Sequence, residues 1–229
     1  VTGLTTVVVP QAANNKASSR VEAVRFMAGS VHRTIQPMTS PKVLQVFTGR
    51  ARPIQINGRK MLSAIHKQAV DGPVAVGPLG LEGDEQADLS LHGGLAKAVY
   101  AYPSEHLPFW QTVRAQARAA LWEEPLDAGL FGTNLLLQGL RETELWVGDR
   151  LRLPDCTLVV SEPRRPCGKF EAAMGFGQAS KLMFQSGFCG SYLAVLQPGT
   201  VSAGESFTLE PGPRDVNIRE LFKSRAVRD

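Results

Sequence analysis

At 229 residues, with 43% hydrophobic and 20% charged side chains, the chain has the make-up of a globular protein with a real core. No apolar run approaches the roughly 20 residues that span a bilayer, so no membrane segment is expected. The formal charge of +4 hints at nucleic acid, but Lys16, Arg20, Arg25 and Arg33 against Glu22 put +3 into residues 1–37 and leave +1 for the rest; a basic tail ahead of a near-neutral body is not a nucleic-acid-binding face.

Residues 1–37 are basic, poor in acids and without periodicity, so they are assigned no fold. They resemble a transit-type leader, or mark a misassigned start. The folded domain is expected from Met38 to residue 229, because strand-like sequence follows at once over 43–47. Short strand patterns recur at 62–66, 74–76, 98–102, 145–147, 151–153, 157–160, 192–196 and 206–209. Turn chemistry separates many of them, as at Asn57-Gly58, Asp71-Gly72, Gly148-Asp149 and Pro198-Gly199. A helix is expected after Ser104 as N-cap, with Leu107, Trp110, Val113, Ala117 and Leu121 on one face. Shorter helices are expected at 177–185 and 217–223. Many short strands, few helices and 22 glycines favour a mainly β protein, a closed or nearly closed barrel with peripheral helices. Alternating βαβ units are absent, as are G-x-G-x-x-G and P-loop patterns.

Cys156, Cys167 and Cys189 are an odd number at wide spacing, with no C-x-x-C pair. Neither a disulfide framework nor a zinc or iron–sulfur site is expected, and the reading is a reducing, cytoplasmic compartment.

Three stretches carry chemistry. The apolar run 157–160 leads into Pro163-Arg164-Arg165-Pro166-Cys167-Gly168-Lys169. Three cations around one cysteine favour the thiolate, which ligates soft metals or attacks electrophiles. The arginines are also suited to holding a phosphate. The plain alternative is a small buried thiol beside a solvated loop. The second stretch, 80–94 with Lys97 beyond it, offers His92, Gly93, Gly94 and Lys97: glycines let backbone approach a ligand, and the side chains supply cationic or hydrogen-bonding tips. A simple turn fits that stretch too. A rival reading takes Asp84, Asp88 and His92, spaced by four, as hard-metal ligands, but the flanking glycines oppose the helix it needs. In the third stretch, Phe131-Gly132-Thr133-Asn134-Leu135, Asn134 is suited to a polar ring edge or to closing a turn. Ser161 has no nucleophile-elbow context.

Taken in order, G-L-E-G-D-E-Q-A-D…H-G-G…K-A-V-Y-A-Y-P at 80–103, F-G-T-N-L at 131–135, V-G-D at 147–149 and P-R-R-P-C-G-K-F at 163–170 resemble the MOSC family, the molybdenum-cofactor sulfurase C-terminal domain, in its stand-alone bacterial branch. The resemblance spans about residues 42–215. It implies a β-barrel that binds the molybdenum cofactor, with Cys167 as the metal ligand. Arg164, Arg165, Lys169, His92, Gly93, Gly94, Lys97 and Asn134 are then candidates for holding the pterin and its phosphate. It further implies reductive removal of an N-bound hydroxyl from small molecules such as hydroxylaminopurine-type bases. Without a flavin, nicotinamide or iron–sulfur motif here, electrons must come from a separate donor protein. The alternative is a sulfur-carrier or cofactor-binding module holding a persulfide on Cys167 without turnover. Pyridoxal phosphate is discounted, since no lysine has a Schiff-base context. Two departures from the family stand out. Thr133 replaces its usual acidic residue, which puts a proton-delivery role there in doubt. The chain also ends soon after Asp215, where relatives continue into a helical region, so contacts for a homodimer or another partner are in question.

Overall fold

The computed structural model describes residues 40–56, 58–87 and 93–226; the leader at 1–37, Asn57, Asp88 and His92 lie outside the described residues. The first strands are β1 (Lys42–Thr48), β2 (Arg52–Ile56), β3 (Arg59–Ser63), β4 (Gln68–Val70), β5 (Val74–Gly77), β6 (Gly80–Leu81) and β7 (Val99–Pro103). Helix α1 (Leu107–Gln116) follows, then β8 (Leu135–Gln138), β9 (Arg150–Arg152) and β10 (Thr157–Pro163). Helices α2 (Gly168–Met174) and α3 (Ala179–Ser186) precede β11 (Ser191–Gln197), β12 (Gly199–Val201), β13 (Thr208–Glu210) and α4 (Ile218–Ala226). The protein is mainly β with a few helices.

Eight strands form one sheet in the order β13-β9-β10-β11-β7-β8-β1-β4. Every pair is antiparallel except β7–β8, which is parallel. That pair needs a crossover, and the chain supplies it through α1. β7 lies inside the sheet and all five of its residues are buried, which is why its sequence is apolar on both faces. The sheet's ladders are open: among the described residues no ladder joins β4 to β13. The segment entering β13 nevertheless returns to β1. Val43 N–H donates to Glu205 O, Gly204 N–H to Val43 O and Phe207 N–H to Pro41 O, at 2.7–3.0 Å. The two sides of the sheet therefore meet over one stretch of backbone bonds.

The core is aromatic. Trp110, Tyr102, Phe131 and Phe170 are fully buried. Tyr102 stacks on Phe131 at 4.8 Å between centroids, and the Trp110 indole N–H donates to the Tyr102 hydroxyl at 2.6 Å. Such pairs add to the burial of their area, and the polar tips are satisfied.

Several expected elements differ. Residues 145–147 form no strand, because the Asp149 carboxylate accepts the Trp146 N–H at 3.1 Å and ends any ladder at an isolated bridge to Asn217. Ser104 opens a 3₁₀ turn over Ser104–His106, and α1 begins after it. The helix stops at Gln116 instead of reaching Leu121, since Arg118 adopts φ +58 and Leu121 is left exposed. Helix α2, directly after Cys167, and strands β2, β4, β6, β8 and β12 are additional to the expected elements.

Candidate functional site

A cleft with about 600 Å³ of empty space, counted out to its mouth, opens where the β10–α2 connection meets the loop after β3 and the loop after β6. Cys167, Arg164, Lys169, Lys97 and Asn134 all line it. The stretches singled out in the sequence therefore converge. Arg165 is exposed and lies outside this lining, as do Gly93 and Gly94. Gly94 instead donates its N–H to Gln86 Oε1 at 2.8 Å, which fixes the end of the glycine loop.

Cys167 sits at the N-cap position of α2 in extended conformation and is half-buried. Pro163 and Pro166 bracket the turn, and Phe170 anchors the start of α2 in the core. The other two thiols are buried. Burial, with Glu205 and Asp155 nearby, pushes Cys156 up to about 11, and burial holds Cys189 well above the ordinary thiol range. Buried, protonated thiols are inert. Of the three cysteines, only Cys167 faces the cleft.

Arg164 is buried in the cleft wall. Its Nη1 donates to Phe131 O, and its guanidinium lies over the Tyr100 ring at 4.8 Å and near the Phe170 ring at 5.3 Å. Burial lowers its pKa, but the electrostatic pull of Tyr100, Tyr192 and Cys167, with a hydrogen bond to Tyr100, outweighs this and raises it. The guanidinium is a permanent cation beside the thiol.

The pair beneath them has no local signature in the sequence. Lys67 and Asp84, from opposite sides of the β5–β6 hairpin, form an ion pair at 2.5 Å, with side chains 8% and 4% exposed. Asp84 also accepts the Gly49 N–H at 2.9 Å and the Asn134 Nδ2–H at 3.0 Å. Burial lowers the Lys67 pKa, and Asp84 only partly restores it. The carboxylate once weighed as a hard-metal ligand is thus committed to an ammonium and two N–H donors. Among the described residues no group of three His, Cys, Asp or Glu could hold a bare metal ion.

Asn134 has a different job from the one its motif suggested. Its Oδ1 accepts the Tyr100 N–H at 3.0 Å, and its Nδ2 donates to both Phe47 O and Asp84. These three bonds fix the amide in the cleft wall and leave one Oδ1 lone pair unassigned. Lys169 donates to Leu62 O at 2.9 Å, and Lys97 lies 3.7 Å from Glu162. Ser161 Oγ donates to backbone carbonyls, in keeping with its lack of a nucleophile context. Thr133 is fully buried, and its hydroxyl finds no hydrogen-bond partner among the described residues.

The cleft thus presents one accessible thiol, with Lys67, Lys97, Arg164 and Lys169 against Asp84 and Glu85, and with Tyr100, Phe131 and Tyr192 as flat apolar walls. This suits an anionic, partly planar ligand carrying a thiophilic centre.

Comparison with known proteins identifies the family. The MOSC domain profile matches residues 88–208. The chain is 36% identical over 178 residues to the uncharacterized protein YflK of Bacillus subtilis (strain 168), covering 77% of each. It is 34% identical over 204 residues to a protein of Gibberella moniliformis named "Reductase", covering 86% of this chain but 35% of that one. The crystal structure of YiiM from Geobacillus stearothermophilus superposes with a TM-score of 0.62 at 31% identity, covering 80% of this chain and 82% of that one. With the profile spanning more than half of its length and relatives matched over three quarters of it, this chain belongs to the MOSC domain family.

Proposed function

We propose that the cleft binds the molybdenum cofactor, with Cys167 as the protein's ligand to the metal, and that the protein reduces N-hydroxylated compounds. The observation that carries this reading is the placement of Cys167: a half-buried thiol in a cleft with four cations. The donor set fits the group. A dithiolene-held metal accepts one more soft thiolate, and Lys97, Arg164 and Lys169 supply charge for its phosphate. The expected curled, barrel-like sheet rests on the backbone bonds between β1 and the segment before β13.

When bound, the cofactor would supply two-electron oxygen transfer chemistry. The net reaction is R–NHOH + 2 H⁺ + 2 e⁻ → R–NH₂ + H₂O, with the electrons from a separate donor protein. The chain's own residues would orient and desolvate. Tyr100, Phe131 and Tyr192 offer faces for a planar substrate, and Arg164 stabilises negative charge near the thiol. Asp84 and Asn134 hold the wall rigid without touching substrate.

The test is molybdenum content of protein from a cofactor-making host, wild type against Cys167→Ser, followed by turnover of a hydroxylaminopurine with reduced methyl viologen. The expected result is near-stoichiometric metal and turnover in wild type alone. Metal-free wild type carrying a persulfide on Cys167 would replace the reductase with the sulfur-carrier reading.

A further inference from the structure

The near-neutral charge beyond residue 37 conceals a sharp asymmetry. Residues 42–70 contain Lys42, Arg50, Arg52, Arg59, Lys60 and Lys67 and no Asp or Glu, a charge of +6, so residues 71–229 carry −5. Two of the six have acidic partners: Arg50 pairs with Glu85 and Lys67 with Asp84. Among the described residues, Arg52, Arg59 and Lys60 pair with no carboxylate, and all three are exposed.

These three stand on the β2–β3 hairpin, a two-stranded ribbon separate from the main sheet. Its register pairs Arg52 with Ser63, Ile54 with Met61 and Ile56 with Arg59. Paired residues share a face, so one face carries Arg52 and Arg59 around Ile54, Ile56 and Met61, and runs on to Ser63 in the cleft wall. Met61 is 40% exposed, and Ile54 and Ile56 are half-buried. An apolar centre between arginines is the make-up of a protein-binding surface. It carries no exposed ring on which a nucleobase would stack.

We infer that this face of the β2–β3 hairpin is the docking surface for an acidic, small electron-carrier protein that delivers electrons to the adjacent cleft. The inference rests on the reductase reading, which requires an external two-electron supply and a docking place next to the site. Electrostatic steering by unpaired cations raises the encounter rate with an acidic partner, and the continuity with Ser63 brings that partner to the cleft mouth.

The test uses the full-length holoprotein with two probes, a flavodoxin and a plant-type ferredoxin, each reduced by its own NADPH-dependent reductase. The double variant R52E/R59E is expected to lower carrier-driven kcat/KM at least tenfold at low ionic strength, with the deficit shrinking as salt rises. Turnover with reduced methyl viologen should stay at the wild-type level, and K60E, on the opposite face, should lose less. Fluorescence-anisotropy titration of labelled carrier should show the same tenfold weakening. Equal carrier binding by wild type and R52E/R59E would overturn the inference, as would failure of both carriers to bind wild type. Tighter binding to a DNA duplex or to phosphatidylserine vesicles than to either carrier would overturn it in favour of a polyanion site. The reductase reading fails separately, if wild type shows no viologen-driven turnover; the binding titration then still decides the surface.

Discussion

Cys167 and Lys67 face the same cleft but carry opposite costs for folding. A half-buried thiol packs little, so Cys167→Ala should leave stability within about 0.5 kcal/mol while removing molybdenum and turnover; thermal melting beside metal analysis checks both halves. The ion pair below it behaves otherwise. Asp84→Ala would strand the buried Lys67 ammonium along with the Gly49 and Asn134 donors, at a cost of about 3–5 kcal/mol. Lys67→Met leaves the Asp84 carboxylate two N–H donors and should cost less, about 1–3 kcal/mol. Urea denaturation of the two variants tests that order, and equal losses would mean the pair is not the wall's support. Cys167 was legible in the sequence because prolines and cations frame it locally. The Lys67–Asp84 pair was not, since its members lie 17 residues apart, Lys67 reads as an ordinary surface charge and Asp84 stands out only as a possible metal ligand. Asn134 was found as a cleft residue, but its three structural bonds were not legible, because a motif marks a position and says nothing about which backbone groups will occupy an amide.

At the scale of elements, most strands with β-branched runs were readable, while β8 (Leu135-Leu136-Leu137-Gln138), short and directly after the Phe131–Asn134 turn, and the strands interrupted by proline or glycine were not. β10 continues the Thr157–Val160 pattern directly. β2 escaped because Arg52-Pro53 argues against a strand, yet proline is tolerated on a two-stranded ribbon where its missing N–H faces no partner. α2 escaped because Pro166-Cys167-Gly168 reads as a turn, and only tertiary burial of Phe170 and Met174 makes seven residues helical. The entry to β11 shows how tightly the elements are fitted. Gly190 has φ +65, its N–H donates to Glu142 at 2.7 Å, and a Cβ there would lie 2.6 Å from Ala101 O and 2.8–2.9 Å from the Tyr100 ring and hydroxyl. Gly190→Ala must therefore both strain the backbone and displace Tyr100, on which Arg164 rests. A loss of about 3 kcal/mol is expected. Cofactor retention should fall with it, read by melting temperature and molybdenum content on the same preparation. An unchanged melt would show that Tyr100 can yield.

Over the whole molecule, the ionisable groups that folding buries set the pH range in which the protein stays folded. Burial raises the pKa values of Cys156, Cys189, Tyr100, Tyr102 and Tyr192, with the Cys156 value reaching about 11. Each is an acid that ionises more readily in the unfolded chain, near 9 for the thiols and 10 for the phenols. Above those values the native state holds more protons than the unfolded state, so the stability these groups contribute is complete below about pH 9 and drains away as pH rises. Lys67 works in the other direction. Its lowered pKa means that the unfolded chain binds its proton more tightly, so its own contribution improves as pH climbs towards 10.5. The lowered His66 acts only below its ordinary 6.5, so above neutrality five raised acids stand against one lowered base, Lys67, and stability should fall steeply from about pH 9. Urea midpoints between pH 7 and 11 would display this, and Cys156→Ala should flatten the first part of the decline, between pH 9 and about 11, at the cost of a small cavity. A midpoint that held steady to pH 11 in wild type would mean that the interior admits water to these groups, and that the aromatic floor beneath the cleft is looser than its packing indicates.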